Sequence, residues 1–147
     1  MRIMNNNTAI AKNTLIKNGY TCVLYSNGIE HHSTLRGVKP LIDFLESDKD
    51  FNGFSAADKT VGAGAAHLYV LLGAKEVWAN IISEEGRNIL LQNNISVFSE
   101  KVVPYIINRT GDGVCPIETE VKGITCSKQA FGIIKQVLKE LKNQVQK

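Results

Sequence analysis

No stretch of the 147-residue chain approaches the roughly 18 consecutive apolar residues that a membrane-spanning helix needs, so no membrane association is expected. The opening Met1-Arg2-Ile3-Met4, followed by three asparagines, lacks the apolar stretch of a secretory signal. Cysteine is scarce and odd in number: Cys22, Cys115 and Cys126. Without an export signal, that count argues against a disulfide framework and for a reducing, cytoplasmic location. No C-x-x-C occurs, which excludes zinc ribbons and fingers. A domain-wide charge of one sign is also lacking. The net charge is +3, but from Ser127 onward five lysines face one acid, so that segment carries +4 and the remainder −1. A basic excess confined to one terminal segment is not the field that tracks a nucleic-acid backbone, and nucleic acid is not the expected partner. What is present is ordinary for a globular protein: 44% hydrophobic and 21% charged residues, about one domain's worth over residues 1–147.

The order of segments is informative. Residues 8–18 predict a helix capped by Asn7 or Thr8 and ended by Gly19. Residues 20–25 and 29–34 are β-rich and flank Asn27-Gly28, the turn pair that tolerates positive φ and marks a hairpin. A short helix follows over 40–46, with proline in its first turn. Residues 54–58 predict a short buried strand. Residues 59–72, almost all small or apolar, predict a helix buried on most sides. Then come a strand at 76–82, a helix capped by Ser83, and a short strand at 95–98. The segment 101–126 is irregular and polar, and 128–146 is an amphipathic helix with Ala130, Ile134, Val137, Leu138, Leu141 and Val145 on one stripe. Strands alternating with helices after an opening hairpin predict a three-layer α-β-α sandwich with a mixed sheet.

That element order is the one found in the cytidine-deaminase-like fold. The stretches Gly53-Phe54-Ser55-Ala56-Ala57-Asp58-Lys59 and Val103-Pro104-Tyr105-Ile106-Ile107-Asn108-Arg109-Thr110-Gly111, with Cys115-Pro116, narrow it further. They resemble a family of small prokaryotic proteins of unknown function that adopts this fold, and the resemblance runs from the first helix to about Glu118. It implies a dimer or a higher homo-oligomer. Working deaminases carry H-x-E or C-x-E at the start of one helix and P-C-x-x-C at the next, which hold zinc and shuttle protons. Here those positions fall near residues 36–40 and 57–60, which contain no such ligands. His31 and His32 are neighbours on a strand and point to opposite faces, while His67 has no partner four residues on. Zinc-dependent deamination is therefore disfavoured, and no metal or other cofactor is expected.

The pocket of this fold lies where two helix N-termini meet the sheet, and a helix N-terminus attracts anions. Arg36, Lys39 and Lys59 stand there in place of metal ligands, which suits a small anionic ligand such as a nucleotide or ADP-ribose. Asp58 is either a helix cap, an acceptor for a sugar hydroxyl, or an acid/base group. Gly62 and Gly64 do not form a Walker or Rossmann pattern and are expected to permit close helix–sheet packing. The loop at 108–118 adds Asn108 and the guanidinium fork of Arg109, and Tyr105 is a candidate for stacking on a base. Cys115 is a candidate nucleophile at a helix N-cap, with Glu118 placed as in a capping box. Its alternative is a structural cysteine. Trp78 reads as core or interface, and the basic face of the last helix as a solvated one. A further alternative is a structural or interaction subunit working through that helix.

Overall fold

A computed structural model describes residues 3–108 and 110–145. The chain forms α1 (Asn6–Asn18), β1 (Cys22–Ser26), β2 (Ile29–Ser33), α2 (Lys39–Glu46), β3 (Ser55–Val61), α3 (Ala63–Leu72), β4 (Glu76–Ser83), α4 (Glu84–Gln92), β5 (Ser96–Val103), α5 (Pro116–Val121) and α6 (Ser127–Val145). The sheet has the order β2-β1-β3-β4-β5. β1 runs antiparallel to β2 and β3, whereas β3, β4 and β5 are mutually parallel. This is the expected three-layer α/β architecture with a mixed sheet, in the element order of the cytidine-deaminase-like fold.

Local chemistry explains most boundaries. The β1–β2 hairpin turns on Asn27 and Gly28, both at positive φ (45° and 92°), as a two-residue turn with this strand twist requires. Gly19 ends α1 and Gly73 ends α3 in the left-handed conformation. The cap of α1 is Asn5, not Asn7 or Thr8: its Oδ1 accepts from the Thr8 amide at 2.8 Å. Ser83 caps α4 as expected, accepting from the Gly86 amide at 3.0 Å.

One face of the sheet carries α1, whose Ala11 and Leu15 pack on Val23, Ala57 and Trp78. The other face carries the larger core, with Leu68 and Tyr69 of α3, Leu41 of α2 and Leu90 of α4 all fully buried. Trp78 is a core residue on the α1 side, with the Lys12 ammonium 5.1 Å from its ring centre. The otherwise irregular segment contains α5, with Cys115 at its N-cap as expected. It packs with α6 against α3. The stripe of α6 thus meets α3 and α5, with Ala130, Ile134 and Val137 buried. Of the expected helix, Gln146 and the side chain of Val145 lie outside the described residues.

Two expectations about β3 and β5 need correction. β5 extends through Val103, because residues 101–103 continue the ladder with β4. More consequentially, the helix expected from Lys59 starts only at Ala63. Thr60 and Val61 pair with Ile81 and Ile82, so β3 continues to Val61. Two β-branched residues beside an existing strand prefer the ladder over the first turn of a helix.

Candidate functional site

A cavity of about 260 Å³ lies between the N-terminal ends of α2 and α3 and the end of β3. Arg36, Asp58, Lys59, Cys115 and Glu118 all contribute to its wall. The structure thus brings Arg36, Asp58, Lys59 and Cys115 of the expected site residues to one wall.

Asp58 is not a helix cap. It sits within β3 opposite Cys22 of β1 and is buried, 7% exposed. Its Oδ2 accepts a 2.6 Å hydrogen bond from the Tyr69 hydroxyl, and its Oδ1 accepts from the Thr60 amide at 3.1 Å. The Cys22 sulfur lies 3.3 Å from the same hydroxyl. Because the single phenolic proton goes to Asp58, the thiol is the donor in that contact. Burial pushes the Asp58 carboxyl up to about 7, against the pull of the Tyr69 and amide hydrogen bonds. The same burial, with the Asp58 charge nearby, raises Tyr69 and Cys22.

The cations occupy two situations. Arg36 and Lys59 are exposed at the cavity wall, and neither forms an ion pair among the described residues. Lys39 begins α2 but turns to Asp43 one turn on, at 2.8 Å. That partner raises the Lys39 ammonium above its ordinary value. It borders a neighbouring groove, not the cavity itself.

The N-terminus of α3, expected to attract an external anion, already holds an internal one. Glu118 of α5 accepts from the Ala63 amide at 2.5 Å through Oε1 and from the Gly64 amide at 2.9 Å through Oε2. The expected capping box within α5 is thus replaced by a contact 55 residues away in sequence. Gly62 and Gly64 are explained by it. A Cβ on Gly62 would overlap the Glu118 carboxylate, and one on Gly64 would come within 2.6 Å of Ile117 Cγ2. Their close approach is to α5, not to the sheet. Burial raises the Glu118 carboxyl, partly offset by the two amides.

The loop before α5 is shaped by Asn108. Its side-chain amide donates to Asp112 Oδ1 at 3.0 Å and its Oδ1 accepts from the Asp112 amide, while the Thr110 hydroxyl donates to Asp112 Oδ1 at 2.6 Å. Hydrogen bonds from Thr110 and Asn108 hold Asp112 below the usual carboxylate range. Asn108 borders the groove while its side chain closes the loop. Arg109 lies outside the described residues. Tyr105 is half exposed and borders neither cavity nor groove. Cys115 is the N-cap residue of α5 and lines the cavity, and no described side chain hydrogen-bonds its sulfur.

The histidines are accounted for elsewhere. His31 meets Phe51 edge-on at 5.0 Å, and His32 stacks on Tyr20 at 4.0 Å. His67 is buried, and its Nε2 donates to the Ile124 carbonyl at 3.1 Å. Nδ1 then accepts from the Ser127 hydroxyl at 2.9 Å, and burial lowers the ring's pKa, in keeping with a neutral imidazole. Among the described residues no three His, Cys, Asp or Glu side chains are placed to hold a metal ion. The zinc of a deaminase does not fit this wall. Asp58 and Glu118 are committed to internal donors, and Arg36 and Lys59 add positive charge.

The fold and the cavity define a three-layer α/β protein with a mixed five-stranded sheet and a pocket. In that pocket, among the described residues, Arg36 and Lys59 stand beside Asp58 and Glu118, and no histidine lines the wall. The chain belongs to the family described as a domain of unknown function, DUF1893, whose model matches residues 10–138. Among solved structures it is similar to a DUF1893 family protein from Thermotoga maritima, 22% identical with a TM-score of 0.80, over 95% of this chain and 92% of that one. It is more distantly similar to a dCMP deaminase from the cyanophage S-TIM5 in apo form, 14% identical with a TM-score of 0.45, over 65% of this chain and 99% of that one. No curated protein matches the sequence. Among the described residues no helix is long and apolar enough to cross a membrane.

Proposed function

We propose that the protein binds a small phosphorylated molecule, a nucleotide or a close relative, in the cavity between α2 and α3. The observation that carries this is the pairing of place and charge: Arg36 and Lys59 line one cavity, and neither is neutralised by a carboxylate among the described residues. Unpaired cations at a concave site are what a phosphate needs, the guanidinium in two-pronged contact and the ammonium as a point charge. Thr60 stands beside them, and its hydroxyl can bond a sugar hydroxyl. Apolar Ile106 and Ile117 complete the wall for the remainder of the ligand. A cytoplasmic location and a homo-oligomer belong to the same proposal, and light scattering tests the second. Thermal-shift and native mass-spectrometric screening against nucleoside phosphates and ADP-ribose tests the ligand class. A hit that stabilises the wild type but not Lys59→Ala or Arg36→Ala supports it; no hit at millimolar ligand removes it.

A second reading rests on Asp58. A carboxyl near 7 at the cavity wall can give or take a proton at neutral pH, as an acid/base group must. On that reading the ligand is converted, and Asp58→Asn keeps binding while abolishing turnover. Cys115 shares the wall, but no described group contacts its sulfur as a base, so the nucleophilic version has no comparable support.

A further inference from the structure

The cavity is the narrow end of a larger space. It opens into a groove of about 1,110 Å³, and the two share Arg36, Val38, Thr60, Ile106, Cys115 and Ile117 as common wall. Single ligand pockets commonly enclose about 300–1,000 Å³. A mononucleotide phosphate seated at Arg36 and Lys59 would therefore leave most of the groove unfilled.

The groove has its own chemistry. Its floor is aliphatic, made by Ile42 of α2, Ile106 and Ile107 of the loop, and Leu138 and Leu141 of α6. Its rim is cationic, and among the described residues no acid lines it. Two of the bordering lysines are already satisfied: Lys39 by Asp43 at 2.8 Å, and Lys135 by Glu46 at 3.0 Å. Lys139 and Lys142 are exposed and have no ion pair among the described residues. They lie three residues apart on α6 and so on one face, one turn beyond Lys135. Cavity and groove together thus carry an aliphatic lining and two unneutralised cation clusters, Arg36 with Lys59 of the adjoining cavity and Lys139 with Lys142 of α6. Aliphatic side chains accept the flat face of a base or sugar ring, while the cations of each cluster require negative charge.

We propose that the groove is a second subsite, and that the ligand carries two phosphate groups separated by a nucleoside. One phosphate is held at Arg36 and Lys59, the nucleoside lies over Ile106 and Ile117, and the second phosphate meets Lys139 and Lys142. This rests on the ligand class proposed above and narrows it to dinucleotide-sized molecules. It also gives the basic face of α6 a role in selectivity. Two unpaired cation clusters serve two phosphates, so a longer chain gains no further charged contact.

The test is isothermal titration of the full chain with AMP, with the linear dinucleotide pApA, and with the hexamer of the same series. The expected result is pApA binding at least tenfold more tightly than AMP, no further gain for the hexamer, and a pApA-to-AMP ratio near one in Lys139→Glu/Lys142→Glu. Both lysines are exposed, so an unchanged melting temperature of that variant checks that the fold is intact. Equal binding of AMP and pApA to the wild type, or a ratio that survives the double variant, overturns the second subsite and leaves the phosphate cavity standing. Affinity that keeps rising to the hexamer overturns the two-phosphate site in favour of a nucleic-acid track. Absence of binding by any of the three removes the phosphate cavity itself, and the subsite with it.

Discussion

The Tyr69 hydroxyl donates a 2.6 Å hydrogen bond to Asp58 Oδ2 from α3 across to β3, and both groups are buried. The bond stabilises the ionised carboxylate, while burial opposes ionisation and wins, leaving the carboxyl at about 7. Removing the hydroxyl in Tyr69→Phe is expected to raise Asp58 further and to cost about 1–3 kcal/mol, the usual penalty for a buried partner left unsatisfied. Carbon-detected NMR titration of the Asp58 carboxyl reads the first effect, and urea denaturation the second. A carboxyl that titrates at the same pH in both proteins contradicts the account.

Asp58 also sets a sign for stability against pH. Its ordinary value of 3.8 is raised on folding to about 7, so between those limits the native state holds a proton that the unfolded chain has released. Stability is then present in full below about pH 4, falls as pH rises towards 7, and levels above that, with a limiting slope of about 1.4 kcal/mol per pH unit for one proton. Asp58→Asn is expected to remove that slope. Urea melts of both proteins from pH 4.5 to 8 check it, and parallel curves would argue against a buried, protonated Asp58.

Glu118 and Gly62 form a second testable pair. Ala at position 62 would collide with the Glu118 carboxylate, and Glu118→Ala would leave two amides of α3 without an acceptor. Each single variant is expected to lose about 1–2 kcal/mol, comparable with the loss of a helix cap. The double variant should cost less than the sum, because removing the carboxylate also removes the collision. Additive losses in a denaturation cycle would show that the two positions do not interact.

The cysteines provide a label for the cavity. Cys126 is exposed, Cys115 lines the cavity, and Cys22 is buried, with burial and the Asp58 charge raising its thiol. Iodoacetamide is expected to modify Cys126 first and Cys22 only on unfolding. A bound nucleotide should slow Cys115 alone. Mass spectrometry of the labelled peptides reads all three, and Cys115 labelling indifferent to a bound ligand would place that ligand elsewhere.

Much of the fold was legible because its signals are local. Asn27-Gly28 specified the hairpin, Gly19 and Gly73 the ends of α1 and α3, and the stripe of α6 its buried face. The end of β3 was not, since Lys59-Thr60-Val61 runs without punctuation into a small-residue helix. Only the partners Ile81 and Ile82 on β4 decide for strand. The candidate site divides in the same way. Arg36, Asp58, Lys59 and Cys115 were singled out by residue type and motif, and they share a wall. Glu118 was read as a local capping residue because its true partners, Ala63 and Gly64, lie 55 and 54 residues away. Its one advance signal was the pair Gly62 and Gly64, which marked a close approach without saying to what. Tyr69 carried no signal of its own inside an apolar helix.

The most direct test of the phosphate cavity is an NMR titration of the labelled protein with AMP, following the backbone amides of Lys59 and Thr60 and the Arg36 Nε–H. Saturable shifts confined to these and their cavity neighbours, weakened at least tenfold in Lys59→Ala, are the expected result. Shifts that never saturate, that map to another surface, or that are unchanged in Lys59→Ala would contradict it.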